Sequence, residues 1–195
     1  MSRIGVFGGT FDPVHVGHLA AAVNARYSAG LDLVLMVVAG QPWQKLGERD
    51  ITPAADRFAL VQAATEGVEG IQASDIEIRR GGLSYTADTL GELHALHPQA
   101  ELFVVVGADA AAGMDTWERA DEVAEVASIV VVNRPGVARP ELARRWRVVE
   151  VEMPALDLSS TDLRQRAADG RPLDFLIPAP AIRYIAARSL YDGYR

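Results

Sequence analysis

A chain of 195 residues, 49% hydrophobic and 23% charged, is long and apolar enough to bury a substantial core. It has no cysteine, which excludes disulfides, thiolate metal sites and a cysteine nucleophile. The net charge of −7 argues against a nucleic-acid partner, because a protein that grips a phosphate backbone carries a basic face; the one short cluster, Arg144, Arg145 and Arg147, reads as a solvated helix end.

In chain order, the apolar run Arg3–Gly8 predicts a buried strand. Leu19, Ala22, Val23 and Tyr27 have helical spacing and predict a helix over Val16–Ala29. Leu31–Ala39 reads as a second buried strand, and the Gly, Pro and charged residues of 40–52 as a loop. Pro53–Glu66 is expected to be a helix capped by Thr52, with Pro53 in its first position. Ile71–Ile78 reads as extended, and Tyr85–Leu96 as a helix with Ser84 as its cap and Pro98 past its end. Glu101–Val106 and Ser128–Asn133 read as buried strands on either side of a helix over Trp117–Ala127, with a further strand at Val148–Glu152. Short helices are expected over Ser160–Ala168, ending at Gly170, and over Pro180–Arg188.

Strands that are apolar throughout, alternating with helices, indicate an α/β fold of the Rossmann-like, doubly wound kind: a mainly parallel sheet with helices on both faces. Residues 1–195 are expected to form one domain, with a small helical part over about 159–195. The N-terminus lacks the apolar stretch of a signal peptide, and the longest apolar run, Leu33–Ala39, is far too short to span a bilayer. A soluble, cytoplasmic protein without a membrane partner is expected. The sequence sets no oligomeric state and permits a homo-oligomer.

In such sheets ligands bind beyond the carboxyl ends of the strands. The first of these loops reads Gly8-Gly9-Thr10-Phe11-Asp12-Pro13-Val14-His15-Val16-Gly17-His18. Its glycines let the backbone approach a ligand, the amides at the helix start favour an anion, and His15 and His18 share a face one turn apart. Two histidines so spaced could equally begin a metal site, but the loop adds only Asp12, too few ligands for zinc. The loop is neither the G-x-G-x-x-G fingerprint nor a Walker A loop. His94 and His97 have the same spacing, but they sit at a helix C-terminus, where a cation suits the dipole, and read as structural.

The eleven residues Gly8–His18 resemble the signature of nucleotidyltransferases that carry a His-x-Gly-His motif. With His at position 15, the resemblance is to bacterial nicotinate-nucleotide adenylyltransferases. It implies that Gly8, Gly9, Thr10, Phe11, His15, Gly17 and His18 bind ATP. Leu158-Ser159-Ser160-Thr161-Asp162-Leu163-Arg164 resembles the family's Ser-Ser-Thr-x-x-Arg motif, which implies that Ser160, Thr161 and Arg164 hold the β and γ phosphates. Gly107 and Asp109 fall where the family contacts the ATP ribose. Lys45, the one lysine of the chain, matches a family lysine, although Trp43 and Gln44 replace the usual Pro and His before it.

The block from Asp75 to Leu90, with Glu77, Arg80, Ser84 and Thr89, resembles a longer family motif. It implies that Tyr85 and Thr86 meet the nicotinate carboxylate. Trp117 matches the tryptophan that stacks on the pyridine ring, and Arg134 an arginine near the mononucleotide. His15, His18, Lys45 and Arg164 form the implied catalytic set, and ATP and nicotinate mononucleotide the implied substrates. Mg²⁺ is expected to arrive on the ATP phosphates rather than in a site of its own. Loop 40–52 has the length and charge to close on them. A transferase with another acceptor (pantetheine phosphate or nicotinamide mononucleotide) and a sensor that binds nucleotide without turnover remain as rival readings.

Overall fold

The computed structural model describes residues 1–42, 51–133, 136 and 140–194. Its sheet contains β1 (Arg3–Gly9), β2 (Leu33–Val38), β3 (Ile71–Ser74), β4 (Glu101–Gly107), β5 (Ala127–Asn133) and β6 (Val148–Glu152), in the order β3-β2-β1-β4-β5-β6. All five pairings are parallel, so the mainly parallel doubly wound sheet expected above is parallel throughout. The helices are α1 (Val16–Ser28), α2 (Ala54–Thr65), α3 (Ile76–Arg80), α4 (Thr86–Leu96), α5 (Ala108–Ala112), α6 (Ala120–Val126), α7 (Ser160–Ala168) and α8 (Ala179–Ala187).

Successive strand residues point to opposite faces, and both faces are covered. Phe103, Val105, Val130 and Val132 pack with α1, α2, α7 and α8 in one cluster. Leu102, Val104, Ile129 and Val131 pack with α4, α5 and α6 in the other. Each fully buried aliphatic side chain contributes about 1.5–3 kcal/mol, which is why the strands carry apolar residues on both faces. Gly5 is required at the centre: a Cβ there would stand 2.8 Å from Leu31 and 3.3 Å from Val34 and Val105.

The central pair shapes the site. β1 and β4 stay in register only from Arg3↔Glu101 to Val6↔Val104. Beyond that, β1 follows β2 as far as Gly9↔Val38, while β4 follows β5 to Gly107↔Val132. The two middle strands therefore part at their carboxyl ends, where the strand order reverses and a doubly wound sheet receives its ligand.

Several local expectations are corrected. The helix α2 starts one residue late, with Pro53 as its N-cap and no side-chain cap from Thr52. Ser84 does not cap α4; Tyr85 is the N-cap, and Ser84 Oγ accepts the Gly40 amide at 2.9 Å. The extended segment stops at Ser74 and gives way to α3. The Trp117–Ala127 helix is shortened to α6, because Arg119 takes a left-handed φ of 54° at its N-cap. Arg144 and Arg145 lie in a turn rather than a helix end, and Arg145 is paired with Asp115 and Asp121.

The C-terminal segment folds back onto the first loop. Tyr184 donates to Asp56 at 2.8 Å, and Tyr191 donates to the buried Asp12 at 3.0 Å. Burial, with the nearby Asp12 charge, holds the Tyr191 phenol above its ordinary 10.0. The folded chain therefore keeps this proton where the unfolded chain loses it. Stability from this group is intact below about pH 10 and declines as the pH rises further. Denaturation midpoints measured from pH 8 to 11 should fall at the alkaline end, and Tyr191→Phe should fall less steeply; parallel curves would show that this phenol does not contribute.

Candidate active site

Two cavities open where β1 and β4 part, and they share Phe7, Val106, Gly107, Asp109 and Ala110 as a common wall. The larger, about 830 Å³, is lined by His15, Gly17, His18, Ser160, Thr161 and Arg164, with Leu156, Met153 and Val132 as an apolar side. The smaller, about 510 Å³, is lined by Gly8, Gly9 and Thr10 and by Tyr85, Thr86 and Trp117. Most of the expected site residues are thus gathered at one place. Gly8–Thr10 lie on the Tyr85 side of the common wall, apart from the histidines. Phe11, 2% exposed, lines neither cavity. Lys45, Trp43, Gln44 and Arg134 lie outside the described residues. His94 and His97 are exposed at the far end of α4 and line neither cavity.

The first loop is built around His18. Phe11 takes a left-handed φ of 49°, which turns its ring back over Gly9; a Cβ at Gly9 would stand 2.7 Å from that ring. The Phe11 ring then meets His18 edge-on at 5.0 Å, and the His15 imidazole stacks on His18 at 3.8 Å. Gly17 leaves room for this pair, since a Cβ there would reach within 3.0 Å of the His15 ring. The His15 amide donates to His18 Nδ1 at 3.3 Å. With Nδ1 accepting, this bond assigns the neutral His18 proton to Nε2, as a donor.

The free amides expected at the start of α1 are not all open. The Val16 amide donates to Leu176 O at 3.0 Å and the His18 amide to His15 O at 2.9 Å. From this segment, His15, Gly17 and His18 line the larger cavity. At α7, Ser159 is the cap, accepting from the Asp162 amide at 3.0 Å, and Ser160 Oγ donates to Pro13 O at 2.9 Å, joining the first loop to the start of α7.

Arg164 is 2% exposed. It donates to Asp12 O at 2.6 Å, to Thr161 Oγ1 at 3.0 Å and to the Tyr194 hydroxyl at 2.8 Å, and its guanidinium lies 4.7 Å from the Tyr194 ring centroid. It is a cation at the cavity wall that also locks the first loop to α7. Asp109, expected on a loop, stands in the first turn of the short helix α5 and faces both cavities.

Sequence reasoning missed Arg57. It is 1% exposed and donates to Thr52 O at 2.8 Å, Thr10 O at 2.8 Å and Gly40 O at 3.3 Å. One guanidinium thereby fixes the first loop against the loop after β2. The signal was present: Arg57 shares helical spacing with the buried Leu60, Val61 and Ala64, and a charge on a core-facing stripe must be satisfied by partners. Among the described residues, no group of three or more His, Asp or Glu side chains could hold a metal ion.

A doubly wound parallel sheet with a cation- and imidazole-lined cavity beside a second one at its switch point defines a nucleotide-handling α/β protein. The sequence matches the cytidylyltransferase-like family over residues 6–166. It is 46% identical over 192 residues to the probable nicotinate-nucleotide adenylyltransferase of Saccharopolyspora erythraea, covering 98% of this chain and 90% of that one. It is 43% identical over 199 residues to the corresponding protein of Mycobacterium tuberculosis, covering 97% and 92%. Among solved structures, the Plasmodium falciparum nicotinic acid mononucleotide adenylyltransferase complexed with NaAD superimposes with a TM-score of 0.79 at 19% identity, covering 98% of each chain. The chain belongs to the cytidylyltransferase-like family and, within it, to the nicotinate-nucleotide adenylyltransferases.

Proposed function

We infer that the protein transfers the adenylyl group of ATP to nicotinate mononucleotide, giving nicotinate adenine dinucleotide and pyrophosphate, a step of NAD biosynthesis. The observation that carries this reading is the pair of cavities meeting at Gly107–Ala110: one walled by imidazoles and Arg164, the other by the start of α4 and an aromatic ring. Two nucleotides laid in these cavities meet at the parted strands. The names of the 46% and 43% identical relatives support the same reaction.

The 5′-phosphate oxygen of the mononucleotide attacks the α-phosphorus of ATP, a new P–O bond forms in line, and the bond to the leaving pyrophosphate breaks. The attacking oxygen is already an anion, so no general base is needed. The protein contributes orientation and charge stabilisation. His18 donates from Nε2 to a phosphate oxygen. Ser160, Thr161 and Arg164 take the β and γ phosphates, and Asp109 accepts from the ribose hydroxyls of ATP. On the acceptor side the start of α4 at Tyr85 and Thr86 takes the nicotinate carboxylate, and Trp117 stacks on the pyridine. Lys45 and Arg134 complete the charges by family resemblance.

Mg²⁺ fits as an ion carried by ATP. Asp109 is the one carboxylate among the described residues lining the larger cavity, which suits a hydrated ion held mainly by phosphate oxygens. When bound, it neutralises charge on the departing pyrophosphate. Among the described residues, no helix is long and apolar enough to cross a membrane; a cytoplasmic location is proposed from the substrates, ATP and nicotinate mononucleotide.

The test is pyrophosphate release with Mg-ATP, comparing nicotinate mononucleotide with its amide. Fast release with the acid and much slower release with the amide is the expected result. Equal rates would discard the carboxylate site at Tyr85 and Thr86, and release with neither would favour a nucleotide sensor.

A further inference from the structure

Glu77, Arg80 and Thr89 are polar residues of the Asp75–Leu90 block without a part in the reaction as described. Glu77 on α3 is 7% exposed and Thr89 on α4 is fully buried, yet both line the smaller cavity. Thr89 Oγ1 donates to Glu77 Oε1 at 2.6 Å. Arg80 stands behind them, with its terminal nitrogens 3.3 and 3.2 Å from Thr89 Oγ1, 2.9 Å from Glu92 and 4.0 Å from Glu77. The Thr89 amide donates to Tyr85 O at 3.3 Å, so the cluster is tied to the first turn of α4.

A carboxylate in the wall of a cavity that receives an anion is a liability, because like charges in a poorly solvated site repel strongly. Arg80 offsets it from outside the cavity, and Thr89 holds the Glu77 carboxylate to one place. We propose that Arg80, acting through Glu77 and Thr89, is a positioning residue that sets the preference for an acidic over an amidated pyridine; this rests on the acceptor assignment above. A neutral amide in the same pocket does not sense the Glu77 charge to the same degree.

The experiment measures kcat/KM for nicotinate and nicotinamide mononucleotides at low ionic strength. Arg80→Met should lower the acid-to-amide ratio about tenfold, with KM for ATP unchanged. The double variant Glu77→Gln, Arg80→Met should return the ratio to within about twofold of the wild type. Equal losses for both acceptors, or no recovery in the double variant, would reduce the cluster to a structural role and overturn the proposal. If Arg80→Met fails to fold, Glu77→Gln alone decides: a raised ratio supports it, and a ratio that is unchanged or falls overturns it. A wild type with no preference for the acid would remove the acceptor assignment and this proposal together, whereas a wild-type preference left unchanged by Arg80→Met removes this proposal alone.

Discussion

Replacing His18 with alanine is expected to lower kcat by about 10²-fold or more, the loss typical of one preorganised donor to developing charge. His18 is positioned by contacts that cost nothing at the moment of reaction: the Phe11 edge at 5.0 Å, the His15 ring at 3.8 Å and the His15 amide on Nδ1. Alanine removes the Nε2 donor. His18 is only half-buried, so the fold should survive, and thermal denaturation of the variant serves as the control. Steady-state kinetics should show the loss in kcat, with a smaller change in KM for ATP. A folded variant that turns over at the wild-type rate would take His18 out of the mechanism.

Arg57→Ala should destabilise the protein by about 3 kcal/mol or more. The change removes three partly buried hydrogen bonds from a charged guanidinium to the carbonyls of Thr10, Gly40 and Thr52, and a hydrogen bond to a charged group contributes about 1.5–3 kcal/mol. Arg57→Lys should recover only part of this, since an ammonium on a flexible stem cannot reproduce the planar fork that reaches three carbonyls. Because the loops bearing Thr10 and Gly40 both border the smaller cavity, KM for the mononucleotide should rise in both variants. Urea denaturation checks the first claim and acceptor titration the second; an unchanged midpoint for Arg57→Ala would show that the carbonyls find other partners.

The strands were legible in the sequence because a parallel sheet covered on both faces demands unbroken apolar runs, as at Leu102–Val106. The ligand rule for such sheets singled out the loops after β1 and β4, and both border the cavities; Ser160, Thr161 and Arg164, on α7 after β6, lie on none of the loops that rule selects and were marked only by family resemblance. Other features had weaker signals. Ile76-Glu77-Ile78 alternates as a strand does, yet forms α3, where an Arg79–Asp75 pair at 3.0 Å spans one helical turn. The break at Arg119 leaves no mark in the apolar periodicity. The bonds from Arg164 to Asp12 and from Tyr191 to Asp12 join residues 152 and 179 positions apart, and no local pattern encodes them. The opened amides expected at α1 failed for the same reason: Leu176, far along the chain, takes the Val16 amide.

The central claim is that the α-phosphorus of ATP is the atom attacked. Incubation of the protein with Mg²⁺, nicotinate mononucleotide and ATP labelled at the α-phosphate tests it most directly. The label is expected to move quantitatively into a dinucleotide while unlabelled pyrophosphate is released in equal amount. Label retained in AMP, with the β and γ phosphates passed to the acceptor, would contradict it.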